Sequence, residues 1–172
     1  MRLLAGSSYA LRGMGRRAEA RQRLDRALEE LKQLKFYPAN KIDLDSESAK
    51  TLRALADYEA DSGNLDDGIK SYERLLSQIE PTENDPEFAL VDAVRLATIC
   101  SSTAALYRRA GRVDQALGLE ARRVALWRKW DQKLPNNRFV QRQLAAKPRA
   151  LLRSQLDRMK IQTGSDKSSY RH

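Results

Sequence analysis

The sequence predicts an all-α protein built from repeated helical hairpins. Only 5 of its 172 residues are proline and 8 are glycine, and apolar residues recur at helical spacing with no alternating β-branched segment. Gly15, Gly63 and Gly111 each follow an apolar helical run, and they stand 48 residues apart. A fixed period of this size is typical of a solenoid, in which stacked units bury a shared core. We therefore expect three long hairpins, followed by a C-terminal capping helix.

The first hairpin is expected over residues 1–37. Its first helix begins without an N-cap residue and carries an apolar stripe, which predicts a further element upstream or self-association through this helix. The second helix, over 16–36, should end at Tyr37, because the residue before Pro38 resists the α conformation. The predicted core-facing residues of this helix are Ala20, Leu24, Ala27, Leu28, Leu31 and Leu34.

The second hairpin is expected over residues 45–80, and polar residues mark its helix starts. Ser46 is the predicted N-cap of the first helix, and Asp66 that of the second, since a short oxygen-bearing side chain accepts a free first-turn amide. The predicted core consists of Leu52, Leu55, Ala56, Ile69, Tyr72, Leu75, Leu76 and Ile79.

The third hairpin is expected over residues 85–134, with Asp85 as N-cap and Pro86 at the first helical position. Cys100 lies within the apolar run of its first helix and is expected to be a small buried hydrophobe. Residues 138–161 predict a basic capping helix, and the polar tail 162–172 predicts disorder. The predicted core of the third hairpin includes Phe88, Val91, Val94, Ile99, Ala104, Tyr107, Leu117, Leu119, Ala121, Leu126, Trp127 and Trp130.

The three hairpins resemble the tetratricopeptide repeat, which stacks helical pairs into a right-handed superhelix. That family places a small residue midway along the first helix, a large one three later, then a turn glycine and a small residue five beyond it. The second-helix positions match as Leu24 with Ala27 and as Tyr72 with Leu75, whereas Glu120 and Arg123 depart from them. The period also exceeds the usual period of about 34 residues, so longer helices or links are expected. The matching first sets are Ser8, Leu11, Gly15 and Ala20; Ala56, Glu59, Gly63 and Gly68; and Ala104, Tyr107, Gly111 and Ala116.

A second resemblance lies in residues 126–145, LWRKWDQKLPNNRFVQRQLA. This stretch is similar to a segment at the C-terminal end of the repeat regions of large bacterial serine/threonine protein kinases. The resemblance implies that the chain is the repeat region of a larger signalling protein. Cytoplasm is the default compartment, and a membrane-spanning kinase would place the repeats outside it.

Charge is distributed unevenly along the chain, although the net charge is +9. Residues 1–36 carry nine basic and four acidic residues, whereas 37–103 carry six and fourteen. Residues 104–137 carry eight basic and three acidic residues, and 138–172 carry nine and two. Basic ends and an acidic middle favour a polarised partner surface, while solvated helix faces explain the same pattern.

No sequence motif indicates catalysis, a cofactor or a metal. The single histidine is His172 in the tail and the single cysteine is Cys100, so neither a histidine-based triad nor a Cys/His zinc site is available. The segment Gly13-Met14-Gly15 is followed by two arginines at a helical turn, unlike a phosphate-binding loop, and no kinase motif occurs. No apolar run approaches the roughly 20 residues needed to span a membrane. We therefore expect a protein that binds other proteins and is not an enzyme.

The resemblance to tetratricopeptide repeats implies a partner-binding groove lined by the first helix of each hairpin. Carried onto this sequence, its main residues combine arginines with one aromatic side chain. Arg53 and Arg108 are expected to pair with acidic groups of a peptide ligand. Some relatives hold the C-terminal carboxylate of chaperones with a set of lysine, asparagine and arginine residues, and this set is missing here. The candidate groove residues are Arg2, Tyr9, Arg12, Lys50, Arg53, Asp57, Ser101 and Arg108.

A separate aromatic and basic cluster, Trp127, Arg128, Lys129 and Trp130, could stack on bases or grip an acidic partner. Because the two tryptophans share one helix face, packing beneath the 138–161 helix explains them as well. The alternative function is nucleic-acid binding by the basic segments of 104–160, with affinity that falls steeply with salt.

Overall fold

The computed structural model describes residues 2–79 and 89–146. Within these ranges the chain forms α-helices and no strand, which confirms the predicted all-α class. The chain divides into two compact units, Met1–Leu126 and Trp127–His172. The helices are α1 (Arg2–Gly13), α2 (Arg17–Gln33), α3 (Glu47–Asp61), α4 (Leu65–Ile79), α5 (Leu90–Arg109), α6 (Val113–Lys133) and α7 (Arg138–Ala145).

The three predicted turn glycines form the same helix-ending turn. Gly15, Gly63 and Gly111 have φ angles of +76°, +95° and +75°, a left-handed conformation that glycine adopts without steric cost. In each turn, the N–H of the residue after the glycine donates to a carbonyl five residues earlier, as in a Schellman motif. These bonds run from Arg16 to Leu11 (2.9 Å), from Asn64 to Glu59 (2.9 Å) and from Arg112 to Tyr107 (2.8 Å).

Small residues allow the paired helices to approach closely. A Cβ atom on Gly68 of α4 would lie 2.9 Å from the Ala56 carbonyl oxygen and 3.2 Å from the Ala60 nitrogen of α3. A side chain at residue 68 would therefore collide with the α3 backbone. The small residues at the matching positions of the other hairpins are also buried: Ser8, Ala20, Ala104 and Ala116.

Within Met1–Leu126, α1 packs against α2 and α3, α3 packs against α4, and α4 packs against α5. Tyr9 of α1 meets Asp57 of α3, and one turn later Arg12 meets Asp61, so α1 and α3 run parallel. Arg95 of α5 is 2.8 Å from Asp45, which precedes α3. The two contacts between α1 and α3 join residues that are 48 and 49 positions apart.

The link between α2 and α3 begins earlier than predicted. Helix α2 ends because Lys35 adopts a φ of +59° and the N–H of Phe36 donates to the Leu31 carbonyl at 2.9 Å. The helix therefore stops at a left-handed cap before it reaches the proline, and Leu34, expected in the core, is exposed. Ser46 is confirmed as the N-cap of α3, since its Oγ accepts the Ala49 N–H at 3.1 Å.

Four other predictions need correction. Helix α4 begins at Leu65, so Asp66 lies within its first turn, where a carboxylate still favours the positive helix end. Val91 and Leu117, expected in the core, are 52% and 59% exposed. Val91 lies in the first turn of α5, and Leu117 follows the buried Ala116 around α6, so both point away from the packed side. Ala121 of α6, also expected in the core, is exposed as well. Phe88 and the predicted cap at residues 85 and 86 lie outside the described residues.

The unit Trp127–His172 contains the end of α6 and the whole of α7. Asn137 caps α7, because its Oδ1 accepts the N–H groups of Phe139 at 3.0 Å and Val140 at 3.2 Å. Trp127 meets Phe139 edge to face, with ring centroids 5.9 Å apart and planes at 77°. Residues 147–161 of the predicted capping helix and the tail 162–172 lie outside the described residues.

Helix α5 is the one described helix that is long and apolar enough to cross a membrane by length and composition. An 18-residue stretch of this 20-residue helix has a mean hydropathy of 1.2, and half of that stretch is buried inside the protein. A core helix of a soluble protein passes the same criterion, so these properties do not assign it to a membrane. The finding differs from the sequence analysis, which identified no apolar run of that length.

Candidate partner-binding face

Two tyrosine hydroxyls converge on one carboxylate between α1, α3 and α4. Tyr9 Oη donates to Asp57 Oδ2 at 2.6 Å, and Tyr72 Oη donates to Asp57 Oδ1. Burial, followed by the nearby Asp57 charge, raises the pKa of both tyrosines far above the usual range. Both hydroxyls therefore remain protonated at neutral pH and serve as hydrogen-bond donors that hold Asp57 in place.

Arg12 lies beside this cluster, and only part of its guanidinium group is satisfied. Its Nη2 pairs with Asp61, and its guanidinium carbon lies 5.2 Å from the centre of the Tyr9 ring. Its Nη1 is buried and has no hydrogen-bond partner within the described structure. The Nη2 side of Arg12 is therefore fixed by α3, while Nη1 is a buried donor without a partner in the described structure.

Arg53, one turn before Asp57 on α3, is the second such residue. Its Nε is buried and donates to no acceptor in the described part of the chain. Its charge acts on the Tyr9 hydroxyl, where it lowers the pKa against the larger effects of burial and Asp57. Arg53 and Arg12 thus both lie close to Tyr9, whose side chain is 41% exposed.

Unpaired guanidinium donors determine what this face can bind. A buried donor without an acceptor costs about 1–3 kcal/mol, and an acceptor that reached it after a local shift of the arginine side chain would recover that cost. A carboxylate oxygen suits a guanidinium group best, because charge-assisted hydrogen bonds are roughly twice as strong as neutral ones. We call the surface formed by Tyr9, Arg12, Arg53 and Asp57 the arginine face.

The other candidate groove residues are not gathered into the arginine face. Lys50 forms ion pairs with Asp45 at 3.3 Å and Glu47 at 3.2 Å. Arg108, expected to pair with a ligand, instead pairs with Glu120 on α6 at 3.2 Å. Ser101 is half-buried on α5, and the side chain of Arg2 lies outside the described part of the structure.

Sequence reasoning missed two members of this arrangement. Tyr72 was assigned only to the core of α4, and Asp61 was not considered. A buried tyrosine usually finds a partner for its hydroxyl, so the apolar position of Tyr72 already indicated a polar acceptor nearby. No sequence signal shows which acceptor it would be.

The residues of the aromatic and basic cluster on α6 differ in how far they are buried. Trp127 is 1% exposed, so its indole ring is not accessible for stacking on a ligand. Trp130 is half-buried, and the Lys133 ammonium lies 5.0 Å from its ring centre. Arg128 and Lys129 are exposed to solvent. The accessible part of this cluster is basic with one partly covered aromatic ring.

Among the residues that the structure describes, no three His, Cys, Asp or Glu side chains are placed to hold a metal ion. No protein-family model matches the chain, and neither the curated proteins nor the solved structures include a match to it. What the arginine face can bind is therefore inferred from its own residues.

Proposed function

We propose that the chain is a non-catalytic protein-interaction module of the tetratricopeptide-repeat kind. In this proposal its hairpins stack as a right-handed solenoid, and the first helices α1, α3 and α5 line the surface that receives a peptide or helix. The module would be the repeat region of a larger signalling protein, such as a bacterial serine/threonine kinase. The common turn at three glycines and the parallel course of α1 and α3 support this arrangement.

The observation that carries the proposal is the pair of buried, unpartnered donors on the arginine face. Native proteins leave few such groups unpaired, so Arg12 Nη1 and Arg53 Nε each require an explanation. A ligand carboxylate placed beside Tyr9 would accept from both arginines. Arg53 would contribute most, because Arg12 already shares its charge with Asp61.

The ligand in this proposal is a peptide that carries an acidic side chain next to an apolar or aromatic one. The carboxylate would meet Arg53, and the neighbouring side chain would pack on the exposed part of the Tyr9 ring. A rigid aromatic surface next to an arginine is a common composition for a binding hot spot. Asp57 would orient Tyr9 and would not contact the ligand directly.

A peptide-display experiment tests this proposal. A random peptide library would be selected on the immobilised full chain, with the Arg53→Gln variant as the counter-selection target. The proposal predicts an enriched consensus that contains an acidic residue, and it predicts that enrichment disappears on the variant. No enrichment on the wild-type chain, or a consensus without acidic residues, would contradict it.

The second candidate function is nucleic-acid binding by the basic segments of 104–160. Exposed basic residues on α6 and α7 favour it, namely Arg128, Lys129, Arg138 and Arg142. This function predicts that affinity for a duplex of random sequence falls linearly on a log–log plot of affinity against salt. Affinity that is absent at low salt would rule it out.

A further inference from the structure

A cavity of about 410 Å³ lies in the link between α2 and α3, away from the arginine face. Its volume falls within the roughly 300–1,000 Å³ typical of pockets for small organic ligands. The end of α2 forms one wall, and the segment from Ala39 to Ser48 forms the other. Because the cavity opens to the surface, a ligand can enter without unfolding the link.

The floor of the cavity is apolar. Leu31 and Ile42 line it, and each is almost completely buried. Phe36 also lines it, yet the Phe36 side chain is 58% exposed. Covering this exposed aromatic ring with an apolar group would be favourable, because it removes apolar surface from water.

The rim of the cavity is charged, and its cations are not neutralised. Lys35 and Lys41 line the opening and form no ion pair with any described residue. Of the two carboxylates at the rim, Glu47 is already paired with Lys50 at 3.2 Å. Asp43 is exposed, and its contact with Ser46 uses the Asp43 main-chain oxygen and leaves the carboxylate unused. Within the described part of the chain, the opening thus offers two ammonium groups without an ion pair against one carboxylate without one.

We propose that this cavity binds a small amphipathic anion, an organic molecule with an alkyl chain and one carboxylate. The alkyl chain would lie on the exposed Phe36 ring, above the buried side chains of Leu31 and Ile42. The carboxylate would lie between the ammonium groups of Lys35 and Lys41 at the opening. The Asp43 carboxylate would repel the bound anion, whereas the two ammonium groups would attract it. This site does not depend on the peptide ligand proposed above.

The test is titration of the full chain with octanoate, octanol and octylammonium, followed by calorimetry and by amide NMR shifts. Octanoate should bind at one site, octanol more weakly, and octylammonium most weakly. Lengthening the chain to decanoate should tighten binding severalfold, because each buried CH₂ group contributes a transfer free energy. The shifted amides should cluster between residues 31 and 48.

Three variants test the assigned roles. Lys41→Gln should weaken octanoate binding roughly twofold to fivefold, the range expected for an exposed ion pair. Asp43→Asn should tighten it by a similar factor, because the opposing carboxylate is removed. Phe36→Ser should weaken octanoate and octanol alike. Lys32→Gln is the matched control, since Lys32 is an exposed lysine outside the cavity that pairs with Glu29 at 3.6 Å.

The outcomes decide the proposal in either direction. Octanoate binding that shifts amides of residues 31–48 and changes in opposite senses in Lys41→Gln and Asp43→Asn would support it. Absence of octanoate binding, equal binding of octylammonium, or shifts confined to other helices would overturn it. An equal loss in Lys41→Gln and Lys32→Gln would likewise overturn the assignment to this rim.

Discussion

The Tyr9 hydroxyl on α1 donates a 2.6 Å hydrogen bond to Asp57 on α3, which joins two residues 48 positions apart. The same number separates the turn glycines at 15, 63 and 111. The period in the sequence therefore equals the offset of a contact between neighbouring first helices. Because α1 and α3 run parallel, an offset of 48 or 49 residues places nearly equivalent residues of the two hairpins side by side.

The Tyr9–Asp57–Tyr72 arrangement predicts coupled losses of stability. Tyr9→Phe should cost about 1 kcal/mol, the usual net value of one hydrogen bond. Tyr72→Phe should cost about 1–3 kcal/mol, because its bond to Asp57 is less exposed to solvent. Urea unfolding would measure both variants. The double variant should lose more than the sum of the two, since it leaves Asp57 without either hydroxyl, and simple additivity would contradict a shared acceptor.

The close approach of α4 to α3 predicts that Gly68→Ala destabilises the protein. Alanine normally favours a helix over glycine by about 1 kcal/mol, but here its Cβ would lie 2.9 Å from the Ala56 carbonyl oxygen. We expect a net loss of about 1–3 kcal/mol, the usual cost of overpacking. Gly118→Ala in α6 is the matched control, because nothing lies within 4 Å of its added Cβ, and it should be neutral or stabilising. Equal effects of the two substitutions in thermal unfolding would contradict the packing account.

Backbone conformation at two helix ends predicts two substitutions with opposite effects on stability. Lys35→Gly should raise stability, since Lys35 adopts a φ of +59° where a left-handed residue with a side chain costs roughly 1–2 kcal/mol. Gly63→Ala should lower stability for the same reason, because Gly63 has a φ of +95°. The midpoint of guanidinium unfolding would measure both. Destabilisation by Lys35→Gly would show that its side chain contributes more than its strain.

Tyr107 of α5, whose hydroxyl donates to Glu73 of α4, predicts that the stability of the folded protein depends on pH in the alkaline range. Burial and a hydrogen bond to Glu73 raise the pKa of Tyr107 to about 12. The folded state therefore holds this proton more tightly than the unfolded state, whose tyrosine pKa is about 10. The resulting stability is present below pH ~10 and is lost as the pH rises towards ~12. The stability difference between wild type and Tyr107→Phe should shrink over that interval, and a constant difference would contradict the shift.

Helix positions and turns were predictable because they depend on local signals. The three glycines and the N-cap Ser46 act through a few neighbouring backbone groups, which the sequence displays directly. The end of α2 was not predictable, because Lys35 takes a left-handed conformation that residues other than glycine rarely adopt. Pro38 predicted a helix end at Tyr37, which is too late in the chain, and Leu34 was therefore assigned to the core.

The candidate site was predictable only in part. Repeat alignment placed Tyr9, Arg12, Arg53 and Asp57 on first helices, and the structure brings these four together. Arg108 occupies the same helix position as Arg12, yet it forms an ion pair with Glu120. Which arginines find a partner inside the chain depends on carboxylates from other helices, and a one-dimensional pattern does not show those distances.

The most direct measurement is calorimetry of an acidic peptide, selected on the wild-type chain, against wild type and Arg53→Gln. The account predicts that Arg53→Gln weakens binding on the order of tenfold or more, as expected when one partner of a desolvated charge pair is lost. The control Arg26→Gln removes an equally charged side chain from the exposed side of α2, where Arg26 pairs with Glu30 at 3.1 Å, and should leave the affinity unchanged. Equal affinity of wild type and Arg53→Gln would contradict the assignment of the arginine face as the binding surface.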